Sequence, residues 1–353
     1  VNIGNIGHIV NSGGFTSNYT TPEPPTSFLA VATSGSSPFV NAYNWKYTEI
    51  GAKLANPGTL PGGFGNWVAW SPDRSFIAVS AGQTPFINVY PWSSSGFGTR
   101  VANPATLPPG SAIGAKWSPD GNYLGVVHFT SPFISVYPWS SSGFGTRVAD
   151  PGTGLPNFGN NIDWSPDGNY IAVGTPSSPF INVYNWSGGA FGSKVADPAT
   201  LPGSNAVGIG WSPDGNYIAV AYQSSPYVNV YPFSGGAFGA KIADPATLPA
   251  GGGYGIGWSK DGKYLAVLQG SSPYISVYPF SGGAFGTKIA DPATLPTSTG
   301  RHAKWSPDGN YVAVAHGSSP FFSIYQWSNG AFGAKVANPS SLPPGDCLSV
   351  DWI

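Results

Sequence analysis

The sequence predicts an all-β fold, a closed ring of seven four-stranded antiparallel blades, and three observations lead there. A ten-residue string, WSPDGNYIAV at residues 211–220, returns in near copies along the chain. The tryptophans that open the copies, Trp70, Trp117, Trp164, Trp211, Trp258, Trp305 and Trp352, stand at a constant interval of 47 residues. The two ends of the chain carry complementary fractions of one further unit. A fixed period of about 40 to 50 residues marks a structural repeat whose units stack on one another.

Within a unit everything reads as strand and turn. Apolar residues alternate with glycine over residues 206–211 (Val207, Ile209, Trp211), the period-two pattern of a strand. Ser212, Pro213, Asp214 and Gly215 follow as turn chemistry: proline presets φ, aspartate bonds to nearby backbone, and glycine tolerates positive φ. A second strand over 217–222 runs to a Ser-Ser-Pro break, a third covers 227–233, and the Gly-rich stretch 234–239 reads as a turn before a short fourth strand at 240–243. Residues 244–249 then cross to the next unit. Four short strands with no helical period are the content of one β-propeller blade.

The ends predict how the ring closes. The seventh tryptophan unit stops after a first strand at 347–352, whereas the opening unit lacks that strand and supplies a second at 28–32, a third at 39–45 and a fourth at 52–55. One blade assembled from both termini hides the edges that an open array would present.

Length alone, 353 residues, favours two domains, but the unbroken period gives one propeller over residues 26–353. Residues 1–25, rich in Gly, Asn, Thr and Pro, have neither the basic start nor the apolar run of a signal peptide and read as a tether or docking arm, or as a plain tail. With no methionine, the chain as given reads as processed, cut from a longer protein or incompletely represented. Charged residues are 8% of the chain and the net charge is −1, which leaves no footprint for nucleic acid or an anionic membrane. No apolar run suits a membrane span. Cys347 is the sole cysteine, so no internal disulfide forms, and buried filler is the expected role.

WSPDG followed by Y-[IL]-A-V and an aromatic-ended strand resembles the WD40 class of seven-bladed propellers over residues 26–353. Two departures stand out: Tyr90-Pro91, Tyr184-Asn185 and Tyr325-Gln326 occupy the place of the Trp-Asp pair, and the Gly-His pair is missing. With S-S-P-[FY]-I, G-G-A-F-G and A-D-P-A-T-L-P added, the repeat is similar to WD40-like repeats of bacteriophage structural proteins and some bacterial surface proteins. That resemblance implies a non-enzymatic structural or attachment protein in a virion, binding virion proteins or a host-surface glycan or protein. The alternative is a secreted or cell-surface, lectin-like carbohydrate-binding propeller. The expected location is accordingly virion or extracellular.

Comparison among the copies suggests a binding face. Variation collects in the crossover ends (63–67, 110–113, 157–161, 203–206, 251–254, 297–302, 345–348) and between second and third strands, at residues such as His128, Thr175, Tyr222, Gln269 and His316. Both loop sets emerge on one side of the disc, where a rigid scaffold commonly carries recognition; drift in exposed loops is the competing explanation. The candidates on that face are Phe64, Trp67, Phe129, Phe158, Tyr222, Tyr254, Arg301 and His302, the aromatic ones offering flat apolar area beside polar handles. The repeated aromatics, Tyr90 to Tyr325 and Phe97 to Phe332, read as packing between blades.

Residues preceding the tryptophans are Ala69, Lys116, Asp163, Gly210, Gly257, Lys304 and Asp351, so lysine is followed by aspartate on successive blades, twice. Inter-blade ion pairs Lys116 with Asp163 and Lys304 with Asp351 are expected. A cation site at the channel mouth from Asp163, Asp351 and His302 is the alternative, disfavoured because its members come from the third, seventh and sixth units. No metal site and no cofactor are otherwise indicated. Four histidines, only two glutamates (Glu23 and Glu49), and no nucleophile-elbow, zinc-protease or phosphate-loop motif argue against catalysis, and no catalytic residue is assigned.

Overall fold

A computed structural model describes residues 27–46 and 48–353. They form seven four-stranded antiparallel sheets and no helix, a seven-bladed β-propeller. The tether expected at residues 1–25 lies outside the described residues. Blades are numbered here by their tryptophans, from Trp70 in blade 1 to Trp352 in blade 7.

Blade 7 is built from both ends. Cys347–Trp352 forms its innermost strand and pairs antiparallel with Ser27–Thr33, with Leu29 opposite Trp352 and Val31 opposite Val350. Reciprocal backbone hydrogen bonds join Phe28 and Ile353 at 3.0 and 3.1 Å.

The repeated residues have repeated jobs. In every blade the first-strand tryptophan meets the third-strand aromatic edge-on, from Trp70 with Trp92 at 4.6 Å to Trp305 with Trp327 at 5.8 Å. The indole N–H of Trp117, Trp164 and Trp258 donates at 3.1 Å to the backbone carbonyl of Ala69, Lys116 and Gly210, one blade earlier. In these three blades tryptophan packs its own blade and ties it to the previous one; the indole N–H groups of Trp70, Trp211 and Trp305 have no hydrogen-bond partner among the described residues. Tyr90, Tyr231 and Tyr278, fully buried in third strands, donate their hydroxyls to Thr59, Thr200 and Thr247 carbonyls in the crossovers entering their blades. Each such ring contributes about 1.5 to 3 kcal/mol by burial.

In the first turn, Ser212 Oγ donates to Asp214 Oδ1 at 2.5 Å, and Asp214 Oδ1 accepts the Asn216 N–H at 3.1 Å, while Gly215 sits at φ 73°. The other connection on this side is shorter than the sequence suggests. Gly235 and Gly236, at φ 57° and 77°, form a two-residue hairpin turn with positive φ at both positions. The fourth strand consequently begins at Ala237–Phe238, inside the stretch read as turn, where Phe238 pairs with Phe233.

The positions read as variable loop between second and third strands are also corrected. His128, Thr175, Gln269 and His316 are fully buried, and Tyr222 is 1% exposed. Each bonds a third-strand residue seven positions on: His128 with Ser135 at 3.0 Å, Thr175 with Asn182 at 3.2 Å, Tyr222 with Asn229 at 2.8 Å, Gln269 with Ser276 at 3.1 Å, and His316 with Ser323 at 3.0 Å. The residues differ between blades because a buried polar group needs a matched partner, and several pairs satisfy that demand. Tyr222 is therefore a core residue and leaves the candidate face.

Candidate active site

The innermost strands of blades 1 to 7, Gly65–Trp70, Ala112–Trp117, Asn161–Trp164, Ala206–Trp211, Gly253–Trp258, Gly300–Trp305 and Cys347–Trp352, surround an axial channel. Side chains alternate along a strand, so residues one and three places before each tryptophan share the channel side. The nearer ring carries Ala69, Lys116, Asp163, Gly210, Gly257, Lys304 and Asp351. The deeper ring carries Trp67, Gly114, Asn161, Gly208, Gly255, His302 and Ser349. Both rings contribute to a pocket of about 430 Å³ that also reaches Pro72, Pro213 and Pro307 of the first turns. The pocket thus opens on the face of the constant turns, opposite the variable loops.

Lys116 Nζ lies 3.2 Å from Asp163 Oδ1, and Lys304 Nζ lies 3.2 Å from Asp351 Oδ1. Each carboxylate also reaches forward: Asp163 Oδ2 accepts the Trp211 N–H and Asp351 Oδ2 the Trp70 N–H, both at 2.9 Å. A lysine, an aspartate and a backbone N–H therefore link three consecutive blades, twice. The Asp163 carboxylate holds the Lys116 ammonium above the ordinary lysine range, outweighing burial, with Asp351 adding to it. Burial would raise the Asp351 carboxyl, but Lys304, Lys116 and the N–H groups of Trp70 and Trp352 carry it below the ordinary value.

His302 stands in the deeper ring with its ring 4.4 Å from that of Trp67, tilted by 52°. Its Nδ1 lies 2.9 Å from the Val350 carbonyl oxygen. The Val350 N–H also approaches Nδ1, at 3.4 Å, but the shorter contact is to a carbonyl, which only accepts, and it favours the tautomer with the proton on Nδ1; Nε2 then offers a lone pair with no protein partner among the described residues. Burial, reinforced by the Lys304 charge, lowers its pKa to about 3, so the imidazole is neutral across the physiological range.

Of the residues singled out in the sequence, the channel brings together Trp67, His302, Lys116, Asp163, Lys304 and Asp351. Among the described residues no three metal-ligating side chains gather as a cation site, so Asp163, Asp351 and His302 do not form one. The rest do not line the pocket: Phe64 and Phe158 sit in crossovers, Phe129 between second and third strands, and Tyr254 and Arg301 at the start of innermost strands. Phe64 and Phe129 are 43% and 51% exposed, Phe129 packs on Phe158 at 4.7 Å, and the Arg301 guanidinium sits 5.4 Å from the Tyr254 ring centre. Asn161, which lines the pocket, was not singled out in the sequence, although the position three before each tryptophan varies from Gly to Trp and marks it.

No family model matches the chain, and no curated protein does. Solved structures do. A periplasmic gluconolactonase of Pseudomonas aeruginosa is similar over 93% of this chain and 99% of its own, at 19% identity and a TM-score of 0.73. A candidate 6-phosphogluconolactonase of Bacteroides uniformis gives 17% identity and 0.69 over the same shares. A protein of Lactobacillus plantarum gives 18% and 0.74. At these identities the likeness establishes the seven-bladed fold. It also corrects the functional expectation. Rings of this build named as lactonases overturn the non-enzymatic phage attachment protein and its lectin-like alternative, and the periplasmic neighbour overturns the virion or extracellular placement. The resemblance to phage repeats finds no support in these matches.

Proposed function

We propose that the axial pocket hydrolyses a sugar-derived lactone. The observation that carries this reading is a neutral imidazole with a free Nε2 beside two ammonium groups, in a pocket of a size suited to one small molecule. The lactonase names of the structural neighbours support the same reaction class.

A water hydrogen-bonded to His302 Nε2 attacks the lactone carbonyl carbon and gives its proton to Nε2. The carbonyl electron pair moves onto oxygen, where Lys304 or Lys116 stabilises the charge. Collapse of this intermediate breaks the bond from the acyl carbon to the ring oxygen, which takes the proton back from Nε2 and leaves as a hydroxyl. The product is the open-chain hydroxy acid, with every proton accounted for. An imidazole of such low pKa is a weak base at the outset. Its proton affinity rises as negative charge grows on the neighbouring oxygen, so the larger share of the acceleration falls to the ammonium groups.

The test is lactone opening followed by acid release, with glucono-δ-lactone and its 6-phosphate as substrates. His302→Gln is expected to lower kcat by about 100-fold, and Lys304→Met by about 100-fold or more. Hydrolysis no faster than in buffer alone, for both lactones, would overturn the reading.

A further inference from the structure

Six first turns are complete in the chain, and four of them read Ser-Pro-Asp-Gly. The two that depart, Ser71-Pro72-Asp73-Arg74 in blade 1 and Ser259-Lys260-Asp261-Gly262 in blade 5, each gain a cation. Both cations line the mouth of the axial pocket.

Neither departure follows from what the turn needs. Arg74 holds φ at 63°, where the other five turns place glycine at φ 70° to 75°. A side chain is disfavoured in that left-handed conformation, so local backbone preference opposes arginine here. Lys260 replaces the proline that presets φ at the second turn position. That position faces the mouth, as Pro72, Pro213 and Pro307 show by lining it. The Lys260 ammonium reaches across to the next blade, donating to the Pro307 carbonyl at 2.9 Å. Blades 1 and 5 lie three steps apart, the greatest separation a ring of seven allows, so the two cations flank the opening from opposite sides.

Charge accounting points the same way. The pocket is lined by four cationic side chains, Arg74, Lys116, Lys260 and Lys304, against the carboxylates of Asp163 and Asp351. Inside, Lys116 with Asp163 and Lys304 with Asp351 neutralise one another. Arg74 and Lys260 remain at the mouth without a carboxylate ion-pair partner among the described residues; the neighbouring Asp73 and Asp261 are engaged by Ser71 and Ser259 within their own turns and do not line the pocket, so the lining itself carries an excess of positive charge. Such an excess at a concave opening draws in anions.

We propose that Arg74 and Lys260 bind a phosphoryl group at the end of the substrate remote from the reacting carbonyl, and so select phosphorylated over neutral lactones. Two cations suit a dianion better than a carboxylate. The lactone part of this statement rests on the reaction proposed above; the phosphoryl preference rests on the mouth alone.

Calorimetric titration of the full chain with 6-phosphogluconate, gluconate and inorganic phosphate tests it without requiring turnover. Arg74→Gly and Lys260→Pro restore the residues found in the other turns, so both variants should fold. The expected result is that 6-phosphogluconate binds at least about tenfold tighter than gluconate, that the advantage shrinks with added salt, and that it falls towards unity in the double variant. Phosphate alone should bind more weakly than 6-phosphogluconate and compete with it. Equal affinities for the two aldonates, no binding of either, or an advantage that survives the double variant would each overturn the proposal. A phosphate-dependent advantage without lactone hydrolysis would sink the reaction and leave the mouth site standing; hydrolysis of both lactones without that advantage would do the reverse.

Discussion

The indole N–H of Trp352 donates to the Ser27 hydroxyl at 3.0 Å, although 325 positions of chain separate them. Trp352 is 4% exposed and meets Trp45, also from the far end of the sequence, edge-on at 4.8 Å. Trp352→Ala should therefore lower unfolding free energy by about 3 to 5 kcal/mol. Removal of residues 347–353 should expose the edge of Ser27–Thr33 and cause association. Denaturant titration and light scattering measure the two effects; a truncated chain that stayed monomeric and equally stable would refute closure by this strand.

The Lys116 and Asp163 pair is half exposed on its lysine side, with side-chain exposures of 37% and 15%, so its Coulomb energy is partly screened. Asp163 also accepts the Trp211 N–H. Asp163→Ala, which removes both partners, should cost about 1 to 2 kcal/mol. Asp163→Asn, which keeps an acceptor for Trp211, should cost less. A double-mutant cycle with Lys116→Met isolates the ionic part, and a coupling of zero would show that the backbone bond alone matters.

His128 and His316 are fully buried, and burial lowers each pKa from 6.5 to about 4. Each ring uses both nitrogens: His128 holds the Thr130 carbonyl and Ser135 Oγ, His316 the Ser318 carbonyl and Ser323 Oγ. Unfolding takes up a proton at each once pH drops below 6.5. Their stabilising effect is thus complete above that pH and lost as pH falls towards 4, about 3 kcal/mol for each histidine. His302 acts in the same direction, with its folded value near 3. Unfolding free energies at pH 7 and 4.5 should differ by several kcal/mol, and His128→Gln with His316→Gln should remove most of that difference. A slope unchanged in the double variant would count against neutral burial.

Gly255 marks a close approach of two innermost strands. A Cβ there would lie 2.3 Å from the Arg301 carbonyl oxygen, and one at Gly208 would lie 2.7 Å from Gly255 Cα. Gly255→Ala must push two innermost strands apart and should cost about 1 to 3 kcal/mol. Gly58→Ala, with nothing within 4 Å of its added Cβ, serves as the control. Equal melting temperatures for the two variants would show that the strands can separate freely.

The fold was legible because its cause repeats. Trp211 recurs every 47 residues since each copy packs a third-strand aromatic, and the split of blade 7 follows from the strand missing at one end and present at the other. The site was only half legible. Alternation places Lys116, Asp163, Lys304 and Asp351 on the channel wall, but the choice of face depended on taking variation for exposure. Tyr222 and Gln269 vary while buried, because each is matched to the residue seven places later. Comparing positions in pairs would have separated matched burial from free drift. Arg74 and Lys260 were visible as departures from Ser-Pro-Asp-Gly, yet a turn read only for its backbone hides what its side chains face.

The seam in blade 7 falls one strand away from the repeat boundary, with the innermost strand supplied by one end and the outer three by the other. Unequal recombination that inserts or drops a whole 47-residue cassette would leave both mating ends intact. The termini therefore do not count the blades. Ring number follows instead from how neighbouring blades lean on one another, and the close strand approaches at Gly208 and Gly255 are among the contacts that bear on it.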